Sequence, residues 1–481
     1  MLDFKLKKMK FKNINKKFFL LACVGFMASC DSKLDIEPRQ SINATTAIEN
    51  AIDLESVIKG AYSIVAGGSL YGTNLNVLPE LLANTNSCTW VGSFQGYRQL
   101  NAKNMNSLNA EASRTWVQSY NAIKNLNVAL VNLDKVSNVA LKSQLEGEAL
   151  FLRGALYFEL VRLYGLPFDA SITNSQLGVP LILIPTTSVD EASVKFPRNT
   201  VAEVYTRVIT DLTAASTKLP ADNGSRADKF TALAFLSRVY LQQQNYSAAL
   251  TAANSVITSG KYSLGASVTS VFGNKNTAES IFEIQQNDQN NAGTSNDGLA
   301  TFYANLPGIG RADLRPVAAF INSFEAADTR RTTLFYAGQA GANPPVARPG
   351  FNASGKWNAF GQNIPVIRLS EMYLTRAECN SRLLTAVGDL PINDVNRIRT
   401  RAGASLKLLL VTVNDILKER EFELCFEGLR VHDFKRTKRS PATISISGVP
   451  TALSYNDRRL VMPIPLREVL ANELLVQNAG Y

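Results

Sequence analysis

Lys229-Phe-Thr-Ala-Leu-Ala-Phe-Leu-Ser-Arg-Val-Tyr-Leu-Gln-Gln-Gln-Asn-Tyr-Ser-Ala-Ala-Leu-Thr-Ala-Ala-Asn-Ser-Val-Ile-Thr258 is the stretch that decides the fold. Leu233, Leu236, Ser237 and Tyr240 recur at helical spacing, Gln244-Asn245 interrupts them, and Tyr246, Ala249, Leu250, Ala253, Val256 and Ile257 resume the pattern. Bulky residues interleaved with small ones at these offsets let two antiparallel helices lie close together.

Such a close pair matches one unit of tetratricopeptide (TPR) type, although the 34-residue repeat is not kept along the chain and an ordinary helical hairpin fits the same residues. Upstream, Thr200-Val-Ala-Glu203 has capping-box spacing ahead of Val204, Val208, Leu212 and Ala215, and Leu219-Pro220 closes that helix. Trp116, Tyr120, Ile123, Leu126 and Leu130 share one helical face, as do Ala149, Leu152, Leu156, Leu160 and Leu163 ahead of Pro167. Thr46-Ala-Ile-Glu49 is a further capping box, with Ile48, Ile52, Ile58 and Tyr62 behind it and Gly67-Gly68 as the stop. Downstream, helix is expected at 368–384, 389–402 and, after Thr412-Val-Asn-Asp415, at 412–427, whereas 431–481 reads as irregular. The expected fold class is therefore mainly α, a scaffold of about four TPR-like pairs within about 45–65, 110–165, 199–260 and 368–430. Between them, 261–367 turns rich in Gly, Asn, Ser and Thr, with strand-like alternation in Glu279-Ser-Ile-Phe-Glu-Ile-Gln285, and reads as a variable loop and short-strand region.

The 481 residues are 46 % hydrophobic and 19 % charged, a composition that builds a large globular body. A formal charge of +10 raises nucleic acid as a partner, but residues 1–17 hold seven lysines against Asp3, a net +6, which leaves +4 for the rest. No nucleic-acid partner is expected. After those lysines come Phe18 to Ser29, a twelve-residue apolar run, and then Cys30, a pattern that resembles a bacterial lipoprotein signal. Residues 1–29 then form the signal peptide, Cys30 the lipid-attachment residue, 30–44 a tether and 45–481 a single domain. Cys23 is a competing cut site with an apolar run of only five residues before it, and a plain signal without lipid is the bland alternative. The remaining Cys88, Cys379 and Cys425 make no disulfide framework or metal knuckle.

His432 is the only histidine, so no two-histidine metal site exists within the chain, and neither a metal nor a cofactor is expected. Glu419, Glu423 and Glu427 at i, i+4, i+8 could suggest a glycosidase pair, but Arg397, Arg399, Arg401, Arg420 and Arg430 argue for ion pairs. His432 beside Asp433 lacks an accompanying nucleophile motif and reads as a packing residue. Lys435-Arg436-Thr-Lys438-Arg439 reads as a solvated basic loop, and Gly308-Ile-Gly310 lacks the third glycine of a dinucleotide fingerprint. No catalytic residue is assigned.

Several segments in order resemble one family, the SusD/RagB-like outer-membrane nutrient-binding lipoproteins of Bacteroidetes: Cys30 with Leu34-Asp-Ile-Glu-Pro38, Trp116-Val-Gln-Ser-Tyr120-Asn-Ala-Ile123, Glu279 to Gln285, and Pro316 through Phe324 to Asp328-Thr-Arg330. Further matches are Ile367-Arg-Leu-Ser-Glu-Met-Tyr-Leu-Thr-Arg-Ala-Glu378, Val395-Asn-Arg-Ile-Arg-Thr-Arg-Ala-Gly403, Ile416 to Glu427-Gly-Leu-Arg430, and the ending Gln477-Asn-Ala-Gly-Tyr481. The resemblance implies four TPR-like pairs, attachment to the outer membrane facing the cell exterior, and capture of an oligosaccharide or polysaccharide without catalysis. It also implies delivery to a SusC-like TonB-dependent outer-membrane channel. An envelope scaffold acting through its TPR surface, or an oligopeptide binder, are the competing expectations.

A glycan is held by flat aromatic faces and by side chains that hydrogen-bond hydroxyls. Trp90 and Tyr97, in a Gly-rich stretch, and Trp357 and Phe360, in the variable region, are the expected ligand-binding residues, with Tyr303 after Asn287-Asp-Gln-Asn-Asn291 as a third place. The competing role for each ring is to anchor its loop on the core.

Overall fold

The computed structural model describes residues 48–84, 86–186, 188–293, 296–338, 351–446 and 449–481. Cys30, Cys23, Thr46, the signal segment and the tether lie outside the described residues. Helices dominate from the first turn: α1 (Ala51–Ala66), α2 (Asn74–Leu82), α3 (Gln95–Ala102), α4 (Ala110–Val131), α5 (Val139–Tyr164), α6 (Val201–Lys218), α7 (Lys229–Gln242) and α8 (Tyr246–Thr258), then α9 (Leu369–Leu383), α10 (Pro391–Arg401), α11 (Val413–Glu423) and α12 (Arg430–Arg436).

Their ends follow from local chemistry. Thr200 and Thr412 cap α6 and α11 in reciprocal boxes with Glu203 and Asp415, satisfying N–H groups that have no partner inside the helix. The box at α1 is Asn50 with Asp53, one turn after the Thr46 spacing, and Gly67 ends that helix. Between α7 and α8, Gln244 turns left-handed and Asn245 caps the second helix through the Ala248 N–H, so the quoted hairpin forms as its sequence indicates. Each long helix packs on its neighbour: α1 on α4, α4 on α5, α5 on α6, α6 on α7, α7 on α8, α8 on α9, and α9 on α10 and α11. Such a stack of helix pairs is the TPR-like scaffold. Residues Ile48–Tyr481 make one compact unit.

Two expectations about faces change. Ile52 is 75 % exposed rather than on the apolar side of α1, and Tyr62 is half-buried near the end of that helix. Residues 431–481 contain α12 and a hairpin, β7 (Thr443–Ile446) with β8 (Val449–Ala452), where irregular chain was expected. The loop region carries three antiparallel ladders: β1 (Cys88–Trp90) with β3 (Leu314–Pro316), β2 (Ser280–Ile284) with β6 (Ile364–Arg368), and β4 (Phe335–Ala337) with β5 (Asn352–Ser354). β6 runs straight into α9, so its ladder with β2 is joined directly to the helical stack.

Buried ion pairs staple the stack. Arg238 on α7 meets Glu371 on α9 at 2.6 Å, Arg376 on α9 meets Asp394 on α10 at 2.7 Å, and Arg436 on α12 meets Glu378 on α9 at 2.7 Å. Among the described residues no helix is long and apolar enough to cross a membrane. The loop from α10 to α11 exposes Leu408, Leu409 and Leu410 at 83–93 %. Cys88, Cys379 and Cys425 are free and buried, and burial pushes the Cys425 thiol up to about 11.

Candidate functional site

One cavity of about 400 Å³ lies between the last two turns of α1 and the chain that follows β2. Helical spacing places Lys59, Tyr62, Ser63 and Ala66 on one face, and Gly67-Gly68 turns the chain away at the cavity rim. Phe282 of β2 forms the floor, with the half-buried Tyr62 ring tilted over it at 6.5 Å between centroids. The Tyr62 hydroxyl accepts from the Ala227 N–H at 3.1 Å, and desolvation, then the Glu148 carboxylate, raises its pKa so that it stays a donor. Opposite stand Gln285, Gln286, Asn290 and Asn291; Arg226 comes from the loop between α6 and α7. Arg226 is held from behind by Glu55 at 3.0 Å, which also pairs with Lys59 at 3.2 Å.

The amide wall is fixed in place. Asn287 and Asn290 close a turn by backbone bonding at 3.1 Å, Lys275 donates to the Gln286 carbonyl at 2.6 Å, and Asn363 accepts from the Gln286 N–H at 3.0 Å. Farther along, Arg114 donates to Asp297 at 2.8 Å and so binds the loop's end to α4. Two other hollows, of about 500 and 580 Å³, are bordered by Lys418, Glu421 and Arg430 and by Arg397 and Arg401, all engaged in ion pairs.

The expected ligand rings lie elsewhere. Trp90 is 5 % exposed, with its ring centroid 4.5 Å from that of Tyr97 and 5.0 Å from that of Phe302 in an edge-on arrangement. Tyr97, on α3 rather than in a loop, donates to Asn74 at 2.5 Å and accepts from Arg114 at 2.9 Å. Tyr303 is buried against Phe426, 5.4 Å away. Trp357 is fully buried; its indole N–H donates to the Phe426 carbonyl at 3.2 Å and its ring meets Phe272 at 5.1 Å. Each ring removes a large apolar surface from water and finds another ring to pack on, so Trp90, Tyr97, Tyr303 and Trp357 anchor loops and present no free face to a ligand. Phe360 is half-buried and lies on Gly293, where any Cβ would overlap its ring, so it supports the loop that carries the amide wall. The structure therefore brings Trp90 and Tyr97 together, buries Trp357 against Phe272 and Phe426, and sets Phe360 under the loop that carries the amide wall. Of the residues lining the cavity, Lys59, Arg226, Gln285 and Asn290 are not singled out for binding in the sequence, and Tyr62 is read there only as part of a helical stripe. The available signal was Gln285-Gln-Asn-Asp-Gln-Asn-Asn291, six amides in seven residues directly after a strand.

The titratable groups singled out in the sequence are committed to structure. Glu423 binds Arg330, Arg368 and Arg401; burial opposes its charge, but those guanidinium groups outweigh it and hold the carboxyl well below its usual range. Glu419 pairs with Arg330 and Arg399, and Glu427 with Lys356 and Arg368. Burial, followed by the charge of Arg162, keeps His432 neutral, and Asp433 faces Arg420 and Arg436. The basic run dissolves into separate contacts: Lys435 donates to the Leu460 carbonyl, Arg436 pairs with Glu378, Lys438 pairs with Asp169, and Arg439 covers Phe434.

These pairs predict an acid limit. In the folded chain Glu371, Glu378, Glu423 and Glu427 lie below the ordinary carboxyl range and Asp433 is held at about 2, because buried guanidinium and ammonium groups outweigh desolvation. Unfolding returns them to about 4, so their contribution is complete above that value and is lost as pH falls toward their folded pKa values. Glu80, raised by burial to about 7, acts oppositely between pH 7 and 4.5, as do Glu111, Glu148 and Asp394, also raised by burial, while His432, kept neutral by burial, costs stability as the pH falls through the same range and offsets them. Thermal melts are expected to vary little from pH 8 to 5 and to fall steeply from pH 4 to 2.5; a flat profile through pH 3 would refute the assignment.

Comparison with known proteins agrees with this architecture. A family model described as "Starch-binding associating with outer membrane" matches residues 33–241, and the model of the SusD family matches residues 351–481. SusD-like protein P2 of Formosa agariphila is 26 % identical over 96 % of this chain and 98 % of its own. The starch-binding protein SusD of Bacteroides thetaiotaomicron is 32 % identical over 127 residues, 25 % of this chain and 22 % of that one. A crystal structure of a putative sugar binding protein from Bacteroides vulgatus superposes with a TM-score of 0.79 at 26 % identity, covering 91 % of this chain and all of the other. With matching models at both ends, full-length relatives and a shared helical fold, this chain is a SusD/RagB-like protein.

Proposed function

We propose that the chain binds a glycan without catalysis, in the cavity between α1 and the amide loop, and passes it to a SusC-like TonB-dependent channel of the outer membrane. The observation that carries this reading is the half-buried Tyr62 ring facing a wall of amides, the combination that suits a sugar's C–H face and its hydroxyls. A glycosidase needs two carboxyl groups flanking the bond, and Glu283 is the only carboxylate among the described residues lining this cavity. The family description and the sugar-binding name of the Bacteroides vulgatus protein support the ligand class. Residues 1–29 are proposed as the signal peptide, Cys30 as the lipid anchor holding the protein at the cell surface, 30–44 as the tether and 45–481 as one domain.

Calorimetry with maltoheptaose, soluble starch and a panel of other plant and algal polysaccharides tests the binding step. Tyr62→Ala is expected to weaken the bound member about tenfold, roughly 1.4 kcal/mol, and also to lower the melting temperature, because the ring packs on Phe282 and its hydroxyl holds the Ala227 N–H. Binding by none of the panel, or equal binding by the variant, would sink this site. Mild-detergent purification from native outer membranes tests delivery: a co-purifying β-barrel is expected, and its absence removes the channel partner.

A further inference from the structure

The Tyr62 cavity does not stop at Arg226. On the far side of that guanidinium lies a second hollow of about 200 Å³, reached along the same strand. Ser225, Arg226, Phe282, Glu283 and Gln285 line both, so the two hollows share a floor and a dividing side chain. The second is walled by Tyr262 and Lys261, just after α8, and by Asn276 and Thr277 ahead of β2. Tyr262 is half-buried, its ring edge-on to Phe230 at 6.3 Å, and its hydroxyl lies 3.3 Å from Asp228. Lys261 pairs with Asp222 at 3.0 Å and Asp228 at 2.6 Å, two carboxylates to one ammonium, so the hollow offers no free positive charge to an anionic ligand.

We infer that this hollow is a second sugar subsite, continuous with the first, and that the groove along β2 takes a neutral oligosaccharide longer than a disaccharide. Tyr62 and Tyr262 flank Arg226 and supply one platform in each hollow. Arg226, already fixed by Glu55, has further N–H groups for hydroxyl oxygens at the crossing point. Gln285 is shared, and Asn276 holds it through mutual amide bonds of 2.8 and 3.2 Å, which sets one hydrogen-bonding edge along both hollows. Both cations are outnumbered by carboxylates, Lys261 by Asp222 and Asp228 and Arg226 by Glu55 and Glu148, which excludes attraction of a uronate or sulfate as the organising principle. This inference rests on the proposed glycan binding and adds the length and charge class of the ligand.

The test is a length series by calorimetry on the full mature chain, using malto-, cello-, xylo- and laminari-oligosaccharides of two to seven units. In the series that binds, affinity is expected to rise at least tenfold between two and six units. Tyr262→Ala is expected to abolish that rise while leaving the disaccharide within twofold, and Tyr262→Phe to restore it. Ser225→Trp, from an exposed position between the hollows, is expected to cut hexasaccharide affinity tenfold and provides the readout should Tyr262→Ala fold poorly. Affinity independent of length, or a rise that both variants leave intact, overturns the second subsite while glycan binding stands. If no series binds, glycan binding fails and the subsite falls with it.

Discussion

Replacing Glu423 with glutamine is expected to lower the unfolding free energy by about 3–5 kcal/mol, the cost typical of removing one partner from a buried charge network. Glu423 is fully buried at the end of α11 and receives Arg330 from the variable region, Arg368 from the end of β6 and Arg401 from the end of α10. Around it the buried carboxylates Glu279, Asp328, Glu419, Glu423 and Glu427 meet Arg330, Lys356, Arg368, Arg399 and Arg401, five to five, with the partly exposed Glu325 as a sixth carboxylate on Arg399 at the rim. The amide keeps the shape but leaves one buried cation uncompensated, and its NH₂ can face a guanidinium that also has only protons to offer. Urea denaturation followed by far-UV circular dichroism measures the change. Glu473→Gln is the control, because Glu473 pairs with Lys195 in open solvent and its loss is expected to leave the midpoint unmoved. A Glu423→Gln midpoint equal to that control would show that the network contributes specificity of packing rather than stability.

That network explains which parts of the molecule could be foreseen. Helices were legible because periodicity and caps are local: Thr200 with Glu203, Thr412 with Asp415 and the α7–α8 hairpin all form within a few residues of their signals. The choice of Asn50 over Thr46 shows the limit of that locality, since Asn50-Ala-Ile-Asp53 carries the same spacing one turn later. Clustered arginines and glutamates in 397–430 were legible as ion pairs because the alternative, several unpaired charges on one short segment, is costly. The site was not legible in the same way. Whether Trp357 faces solvent depends on Phe272 and on the Phe426 carbonyl, 69 residues away in sequence, and whether Trp90 does depends on Phe302. Nothing within a few residues of either tryptophan encodes those partners. Tyr62 was assigned to an apolar stripe by spacing alone, while the chain that opens one side of it, from 285 to 292, comes from the far half of the sequence. Aromatic residues in polar loops thus mark where the chain is fastened to the core, and of them Phe360 alone, through Gly293, supports the loop where binding is proposed.

Gly428→Ala is expected to destabilise the fold by more than 3 kcal/mol or to prevent soluble expression. Gly428 has φ +77°, a conformation that costs a residue with a side chain about 1–2 kcal/mol by itself. Its position adds a second penalty, because a Cβ there would overlap the Leu75 carbonyl oxygen and crowd Asn76 Cα, both backbone atoms of α2 that cannot rotate aside. The close approach is used: the Gly428 N–H donates to Glu80 Oε1 at 3.2 Å, and Arg430 donates to the Ala83 carbonyl at 2.7 Å, so the turn between α11 and α12 is bonded to both the middle and the end of α2. Gly224 separates the two penalties. It has φ +60° but nothing within 4 Å of where a Cβ would sit, so Gly224→Ala carries only the conformational cost, about 1 kcal/mol. Equal losses for the two variants would mean that α2 shifts to admit the methyl group. A much larger loss at Gly428 means that α2 is held rigidly by its contacts with α12, and that the closeness of this approach, rather than turn conformation alone, is what the Glu427-Gly-Leu-Arg430 segment secures.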